Sequence, residues 1–379
     1  MYQGRVGVRI CLYGYSLVNL GGGTAQYTQA LGKQLVEEGH EVTVVTRKWS
    51  HAEMLTEGLR YHFITIDSHP NQTSGNIQYA LKSILYFFRH KDEFDLIHCM
   101  SGVQSFAVLG ALIKKWTKLP MVYSILSPFQ YRFYLKAFDQ LICTSRNIEA
   151  TLQASNTIYI PPFIETERFK VGSRYGFEGD SDFIIGTMGY PISRKGNRYF
   201  AEAIPMILER FPRTLFLLAI DLPMISYMEE LEKEKNYIEQ LILTKGIQEK
   251  VRILGAVDVP RFLKSLDIFV YPVQTTAGMI DIPPTVLECL AAGCGLVTSQ
   301  QGGIGEVIRD GYNGALVPKG DHDNPRAYAD RILELMENRS LLERVRQNGP
   351  PSILDLDVKR IVPQIIQLYE RMVKGERKD

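Results

Sequence analysis

Short apolar runs alternate with longer segments of helical spacing along the whole chain, and this alternation constrains the fold more than any other feature. The runs are nearly continuous rather than alternately polar, which is typical of strands buried on both faces of a parallel sheet. Helices between such strands form βα units, so the pattern predicts an α/β fold. Thirteen runs are predicted as strands: 6–13, 41–46, 61–67, 95–100, 121–126, 140–145, 156–160, 183–188, 215–221, 251–257, 267–273, 295–299 and 314–317.

The runs fall into two sets, and the first strand of each set is followed by a glycine-bearing turn. Between the sets, residues 161–182 contain two prolines, several charges and three glycines, which is typical of a linker. We therefore predict two Rossmann-like domains that face each other across a central cleft, over residues 1–165 and 175–356. A final helix predicted over 357–374 is a candidate for packing back on the first domain.

Composition excludes several classes of protein. The 379 residues include 43 Lys and Arg against 42 Asp and Glu, a formal net charge of +1, which argues against a dedicated nucleic-acid binder. The five cysteines lack the spaced partners of a zinc site, so we predict no metal and a reducing compartment. The first residues lack the order of a signal peptide, and a cytoplasmic location is expected.

Two glycine-bearing turns are candidates for phosphate binding. In the first domain, Gly22 and Gly23 lie just before a predicted helix, whose N–H groups and dipole favour an anion. In the second domain, Arg194 and Lys195 lie just before another helix and suit a diphosphate. A plain tight turn and a solvated basic turn are the alternatives. Because the first motif is GGGT and not GxGxxG, it is not a dinucleotide fingerprint.

Three further polar residues lie near predicted strand ends, where ligands bind in open α/β folds. Glu288 lies about one turn into a helix that follows Pro283 and Pro284, and Asp281 lies just before that helix. Either carboxylate could accept hydrogen bonds from vicinal hydroxyls, whereas the alternative for Glu288 is a structural ion pair or an interaction with the helix dipole. His98 could act on a ligand or be a hydrogen-bonded structural residue.

Taken together, these motifs resemble the retaining nucleotide-sugar glycosyltransferases of family 4 (glycosyl transferase group 1), which have the GT-B fold. The similar segments occur in the family's order and span nearly the whole chain. They are GGGTAQYTQALGKQLVEEGHEVTVVT, DLIHCMSG, LICTS, ETERF, RKG, VRILGAV, DIFVYP, VLECLAAGCGLVTSQQGGIGEVI and DGYNGALV.

The resemblance implies catalytic and phosphate-binding roles. Gly22 and Gly23 would approach the donor phosphates or sugar. Lys195, together with Arg194, would neutralise the diphosphate as it leaves. His98 matches the first histidine of the family's HxH strand end.

The resemblance also implies contacts with the rest of the donor. Ile253 and Leu254 would hold the base through backbone contacts, and Glu288 would bind the ribose hydroxyls. The N–H groups of Thr285 and Val286 would face the diphosphate.

The sequence departs from the family pattern at several positions. Tyr190 stands where the family has an arginine, and Met100 replaces the second histidine of HxH. The first glutamate of the family's pair falls on Ile280, so we predict that the neighbouring Asp281 takes over recognition of the donor sugar.

Residues 104–146 form a basic and aromatic stretch. Six Lys and Arg stand against the single acid Asp139, a net charge of +5, and Trp116 and several Phe and Tyr lie among them. This mixture predicts a peripheral contact with a lipid surface, and the alternative is an arrangement of buried aromatics and solvated lysines.

The function predicted from these features is retaining transfer of a hexosyl group from an NDP-sugar to an acceptor hydroxyl on a glycan or lipid-linked molecule. The family mechanism implies no cofactor and no metal, with positive charge and orientation supplied by the protein. A non-catalytic nucleotide-sugar-binding subunit of a glycosylation complex is the alternative.

Overall fold

The amino-terminal strands form a seven-stranded parallel sheet. They are β1 (Arg9–Gly14), β2 (Glu41–Arg47), β3 (Arg60–Ile64), β4 (Leu96–Ser101), β5 (Met121–Ile125), β6 (Gln140–Cys143) and β7 (Thr157–Tyr159), in the order β3-β2-β1-β4-β5-β6-β7. The helices between them are α1 (Gly23–Glu37), α2 (Gln72–His90), α3 (Gln104–Thr117) and α4 (Arg146–Leu152). The computed structural model describes residues 7–14, 17, 22–47, 58–64, 72–101, 104–128, 133–152, 154–170, 172–177, 179, 181–220 and 228–375.

The second sheet has six parallel strands. They are β8 (Phe183–Met188), β9 (Thr214–Ala219), β10 (Val251–Leu254), β11 (Ile268–Tyr271), β12 (Gly295–Ser299) and β13 (Ala315–Val317), in the order β10-β9-β8-β11-β12-β13. The accompanying helices are α5 (Asn197–Arg210), α6 (Met228–Thr244), α7 (Val259–Ser265), α8 (Pro284–Ala292), α9 (Ile304–Val307), α10 (Pro325–Glu337) and α11 (Arg339–Ser352), and α12 (Val358–Lys374) follows them.

The two sheets belong to two compact units. Unit 1 comprises Met1–Ile164, Ala277–Asp281 and Leu356–Asp379, and unit 2 comprises Glu165–Thr276 and Ile282–Asp355. Each of the thirteen predicted runs overlaps a strand, and the predicted α/β class with two Rossmann-like sheets is confirmed.

Apolar side chains cover both faces of the first sheet because its strands carry apolar residues on both sides. On one face, α1 and α12 pack through residues such as Leu31, Leu35 and Ile365. On the other face, α2, α3 and α4 contribute Phe87, Ile113 and others to a second core. Among the described helices, none is long and apolar enough to cross a membrane.

Candidate functional site

The turn after β8 contains Lys195, and two glycines determine its backbone conformation. Gly189 has a φ of +117°, and a Cβ at this position would lie 2.6 Å from the Lys195 Nζ atom. Gly196, with a φ of +68°, ends the 3₁₀ turn Ser193–Lys195 and precedes α5, and a Cβ there would lie 2.1 Å from the Pro272 carbonyl oxygen. Both positions therefore require glycine, and together they shape the turn that holds Lys195.

The ammonium group of Lys195 lies in a poorly solvated, positively charged environment. Its pKa is lowered from 10.5 to about 8, first by burial and then by the nearby Arg194 guanidinium, while the Glu288 carboxylate acts in the opposite direction. The Nζ atom lies 5.0 Å from the centroid of the Tyr190 ring. Tyr190, which stands where the resemblance led us to expect an arginine, thus supplies a cation–π contact rather than a third positive charge.

Glu288 is a buried carboxylate in the first turns of α8. The side chain is 4% exposed, and burial raises its pKa from 4.5 to about 7, although the charges of Arg168 and Lys195 act in the opposite direction. Pro283 precedes α8 and Pro284 is its first residue, where a missing N–H costs no helical hydrogen bond. The helix start therefore carries Glu288 toward the cations of unit 2.

Three charged side chains of this site have no hydrogen-bond or ion-pair partner among the described residues. In the part of the chain that the structure describes, Arg194, Lys195 and Glu288 make no side-chain hydrogen bond and no ion pair. A poorly solvated charge without a partner is unfavourable in the free protein, and a ligand that supplies partners relieves that cost. The arrangement is therefore suited to an anion at the two cations and to hydroxyl groups at the carboxylate.

Arg168, in the segment ETERF, is a functional candidate that the sequence alone did not reveal. Arg168 lies in the 3₁₀ turn Thr166–Phe169, which packs against α8. The Arg168 side chain is half-exposed. Its charge lowers the pKa of Glu288 more than the charge of Lys195 does. The signal was weak because Arg168 lies about 120 residues before Glu288 in the sequence, so that only the fold brings the two charges into range.

The backbone groups of unit 2 that were predicted to contact the donor differ in whether they already have a hydrogen-bond partner. The N–H of Val286 donates to the Pro283 carbonyl oxygen at 3.0 Å, whereas the N–H of Thr285 has no acceptor among the described residues. Ile253 and Leu254 lie in β10, which pairs with β9 and is an edge strand in the described part of the chain. Within that part, no second strand pairs with the backbone groups on its other side.

The remaining predicted residues belong to unit 1. Gly22 precedes α1 in an extended conformation, its carbonyl oxygen accepts from the Gln26 N–H, and Gly23 is the first helical residue. Within the described ranges, no side chain caps this helix start. Gly21 lies outside the described residues.

His98 is buried completely and both of its ring nitrogens are engaged. Nδ1 hydrogen-bonds the Tyr369 hydroxyl of α12, and Nε2 lies 2.7 Å from the Ser124 Oγ atom of β5. Burial lowers the pKa of His98 to about 3, so the imidazole is neutral near pH 7. This environment favours the structural alternative over a catalytic role, because neither nitrogen is open to a ligand.

Asp281 is also buried completely, and its carboxylate is occupied by unit 1. It accepts hydrogen bonds from Ser145 Oγ at 2.5 Å and from Asn147 Nδ2 at 3.0 Å. Its N–H donates to the Leu126 carbonyl oxygen at 2.8 Å. Ser145 and Asn147 were not predicted as partners of Asp281; Ser145 ends the LICTS segment and Asn147 lies two residues later.

The structure thus groups Arg194, Lys195 and Glu288 in unit 2, together with Arg168. It places Asp281 and His98 in separate buried networks of unit 1. Among the described residues, no group of three or more His, Cys, Asp and Glu could hold a metal ion.

Two family models match separate parts of the chain. Residues 21–168 match a family model described as glycosyltransferase family 4. Residues 182–338 match a second model, described as glycosyl transferases group 1.

Individual relatives and a solved structure extend the similarity. An uncharacterized glycosyltransferase of Methanocaldococcus jannaschii is 27% identical over 82% of this chain and 85% of its own length. A phosphatidyl-myo-inositol mannosyltransferase of Mycobacterium tuberculosis is 26% identical over 57% of this chain and 54% of its own. The crystal structure of Anabaena HepE with UDP and glucose has a TM-score of 0.76, at 17% identity, and covers 96% of this chain and 99% of that one. The likeness confirms the predicted GT-B fold.

Proposed function

We propose a specific reaction for this chain, which belongs to the glycosyl transferases of group 1 (family 4) and uses a nucleotide-sugar donor. It moves a hexosyl group from an NDP-sugar to an acceptor hydroxyl on a glycan or lipid-linked molecule, with retention of the anomeric configuration. The relative named phosphatidyl-myo-inositol mannosyltransferase supports the proposal in two ways. Mannosyl is a hexosyl group, and phosphatidyl-myo-inositol is a lipid, which supports a lipid-linked acceptor.

The observation that carries the proposal is the set of charges in unit 2 that have no hydrogen-bond or ion-pair partner among the described residues. Arg194 and Lys195 offer two cations at one turn, and Glu288 offers a buried carboxylate whose pKa both Lys195 and Arg168 influence. A nucleotide sugar has both complementary features, since it carries a diphosphate and a ribose diol. Each hydrogen bond to a charged group contributes about 1.5–3 kcal/mol.

The two cations would act most strongly as the bond between sugar and diphosphate breaks. Negative charge grows on the departing diphosphate, and prearranged cations stabilise that charge without reorganisation. Glu288 would hold the ribose, and the N–H of Thr285, which has no acceptor among the described residues, would face the diphosphate. Because side-chain cations supply the charge compensation, we propose that the reaction needs neither a metal nor another cofactor.

A screen of nucleotide sugars tests the proposal. Thermal denaturation of the protein with UDP-, GDP- and ADP-sugars identifies the base, because a ligand that binds only the native state raises its stability. Radiolabelled donor is then followed for hydrolysis in the absence of acceptor. We expect one base to stabilise the protein and its sugar conjugate to be slowly hydrolysed. If no nucleotide sugar stabilises the protein, the proposal fails.

One observation favours a second function, a non-catalytic subunit that binds nucleotide sugars. Asp281, the nearest carboxylate to the missing first glutamate, is held by Ser145 and Asn147. Nucleotide-sugar binding without any hydrolysis or transfer would support this function.

We also propose that the protein acts in the cytoplasm, in peripheral contact with the inner membrane face. All five cysteines are buried and free, which suits a reducing compartment.

A further inference from the structure

Two neighbouring helices of unit 1 expose apolar side chains that the fold does not cover. On α2 these are Ile77, Leu81, Leu85 and Phe88, and on α3 they are Val108, Leu112 and Trp116, with exposures of 41–63%. We call these seven residues the α2–α3 apolar face. Their spacing of three or four residues puts each set on one side of its helix.

The opposite sides of the same helices are also apolar. Tyr79 and Phe87 of α2, and Leu109 and Ile113 of α3, are buried in one core against the first sheet. The two helices pack against each other on that sheet face, so side chains opposite the core point outward together. A helix that is apolar on both sides is typical of one covered on both sides, and an exposed cluster of this size marks an interaction surface.

Charge around this face is of one sign. Over Gln72–His90 and Gln104–Thr117 there are four Lys and Arg and no Asp or Glu. Arg89 and Lys115 are exposed and make no ion pair among the described residues. Lys114 pairs with Asp139, and Glu93 in the turn after α2 lies 2.7 Å from His90. Unpaired cations beside exposed apolar side chains are complementary to a surface that is both anionic and apolar.

The turn next to α3 extends this character. The 3₁₀ turn Phe133–Ala137 packs against α3, and Phe133 is 83% exposed. Lys136 in the same turn is exposed and unpaired in the described part of the chain. Of the aromatic stretch predicted from sequence, Phe138 is instead buried in the core, and Phe129, Tyr131 and Arg132 lie outside the described residues.

We propose that the α2–α3 apolar face docks unit 1 on a membrane surface rich in anionic phospholipid, with Arg89 and Lys115 at the headgroups. The proposal rests on the proposed function only in that a lipid-linked acceptor would lie at such a surface. A second copy of the chain fits less well, because a two-fold symmetric contact through this face would bring its unpaired cations together.

Vesicle flotation of the full chain tests the apolar part of the proposal. We expect binding to phosphatidylcholine vesicles that contain phosphatidylglycerol, and weaker binding to pure phosphatidylcholine. Leu81→Ser and Leu112→Ser should each lower the partition coefficient about tenfold, the effect of removing one buried leucine side chain. Leu243→Ser, at a leucine of α6 with 53% exposure in unit 2, is the matched control and should bind as the wild type.

Charge variants test the headgroup part. Arg89→Gln and Lys115→Gln should reduce the preference for phosphatidylglycerol, and added salt should reduce wild-type binding. Lys245→Gln, at an exposed lysine of unit 2, is the control. Equal binding by the wild type and the Leu81 and Leu112 variants would overturn the proposal.

Two further measurements separate the remaining outcomes. If sedimentation shows a wild-type dimer that Leu81→Ser dissociates, the face contacts a second copy and the membrane proposal is wrong. Nucleotide-dependent thermal stabilisation should be the same in all these variants and the wild type. If nucleotides stabilise neither the wild type nor any variant while vesicle binding is intact, the proposed function is contradicted. The docking proposal is then still supported.

Discussion

Replacing Glu288 by glutamine should stabilise the free protein while weakening donor binding. The carboxylate is buried without a hydrogen bond among the described residues, and its pKa is raised to about 7. A neutral amide of nearly the same shape removes the charge and leaves the packing of α8 unchanged. The same change removes the charged acceptor that we propose for the ribose hydroxyls.

The size of the stability effect follows from the raised pKa. The folded protein holds the Glu288 proton more tightly than the unfolded chain, so ionisation lowers the free energy of unfolding as pH rises from 4.5 through 7. The difference between these pKa values corresponds to about 3 kcal/mol at pH values above both. Glu288→Gln should therefore raise the free energy of unfolding by up to about 3 kcal/mol at pH 8, and by progressively less as pH falls below 7.

Urea denaturation at pH 8 and pH 5, with calorimetric titration of nucleotide and nucleotide sugar, measures both effects. We expect Glu288→Gln to weaken the two ligands alike, by about 1.5–3 kcal/mol for lost charge-assisted hydrogen bonds. Glu249→Gln, at an exposed glutamate of unit 2, should change neither stability nor binding. Lower stability of Glu288→Gln at pH 8, or an equal change at both pH values, would refute the assignment of an unpaired buried charge.

Three other outcomes can be measured in the same way. The double variant Arg194→Ala/Lys195→Ala should lose affinity for UDP, GDP or ADP by about 1.5–3 kcal/mol per charge removed, and an unchanged dissociation constant would exclude a diphosphate site there. Wild-type affinity for the diphosphate should fall as pH rises above about 8, where the Lys195 ammonium loses its proton, and Lys195→Met should show no such fall in calorimetry. Asp281→Asn weakens the bonds from Ser145 and Asn147, so urea denaturation should show lower stability. Weaker binding of the sugar conjugate with unchanged nucleotide affinity would show that Asp281 also recognises the donor sugar. An Asp281→Asn variant that loses stability but binds the sugar conjugate normally would leave that residue a purely structural role.

Strand positions were predictable from the sequence because they depend on local composition. A run buried on both faces of a parallel sheet is apolar at nearly every position, as in Phe183–Met188, where all six residues are buried. Glycine turns could also be recognised locally, since Gly189 and Gly196 adopt positive φ values whatever lies beyond the turn. The roles expected of Lys195 and Glu288 followed from the family resemblance rather than from their spacing.

Tertiary structure alone decided how each charged group is surrounded. Asp281 and Glu288 are seven residues apart and similar in chemistry, yet one is hydrogen-bonded to Ser145 and Asn147 while the other is buried without a hydrogen bond among the described residues. His98 looked like a catalytic strand-end residue until packing against Tyr369, 271 residues later, closed both of its nitrogens. The sequence determines which groups a chain carries, but burial and distant partners determine which of them keep a free charge, because solvation and Coulomb energies depend on distance in space and not on separation along the chain.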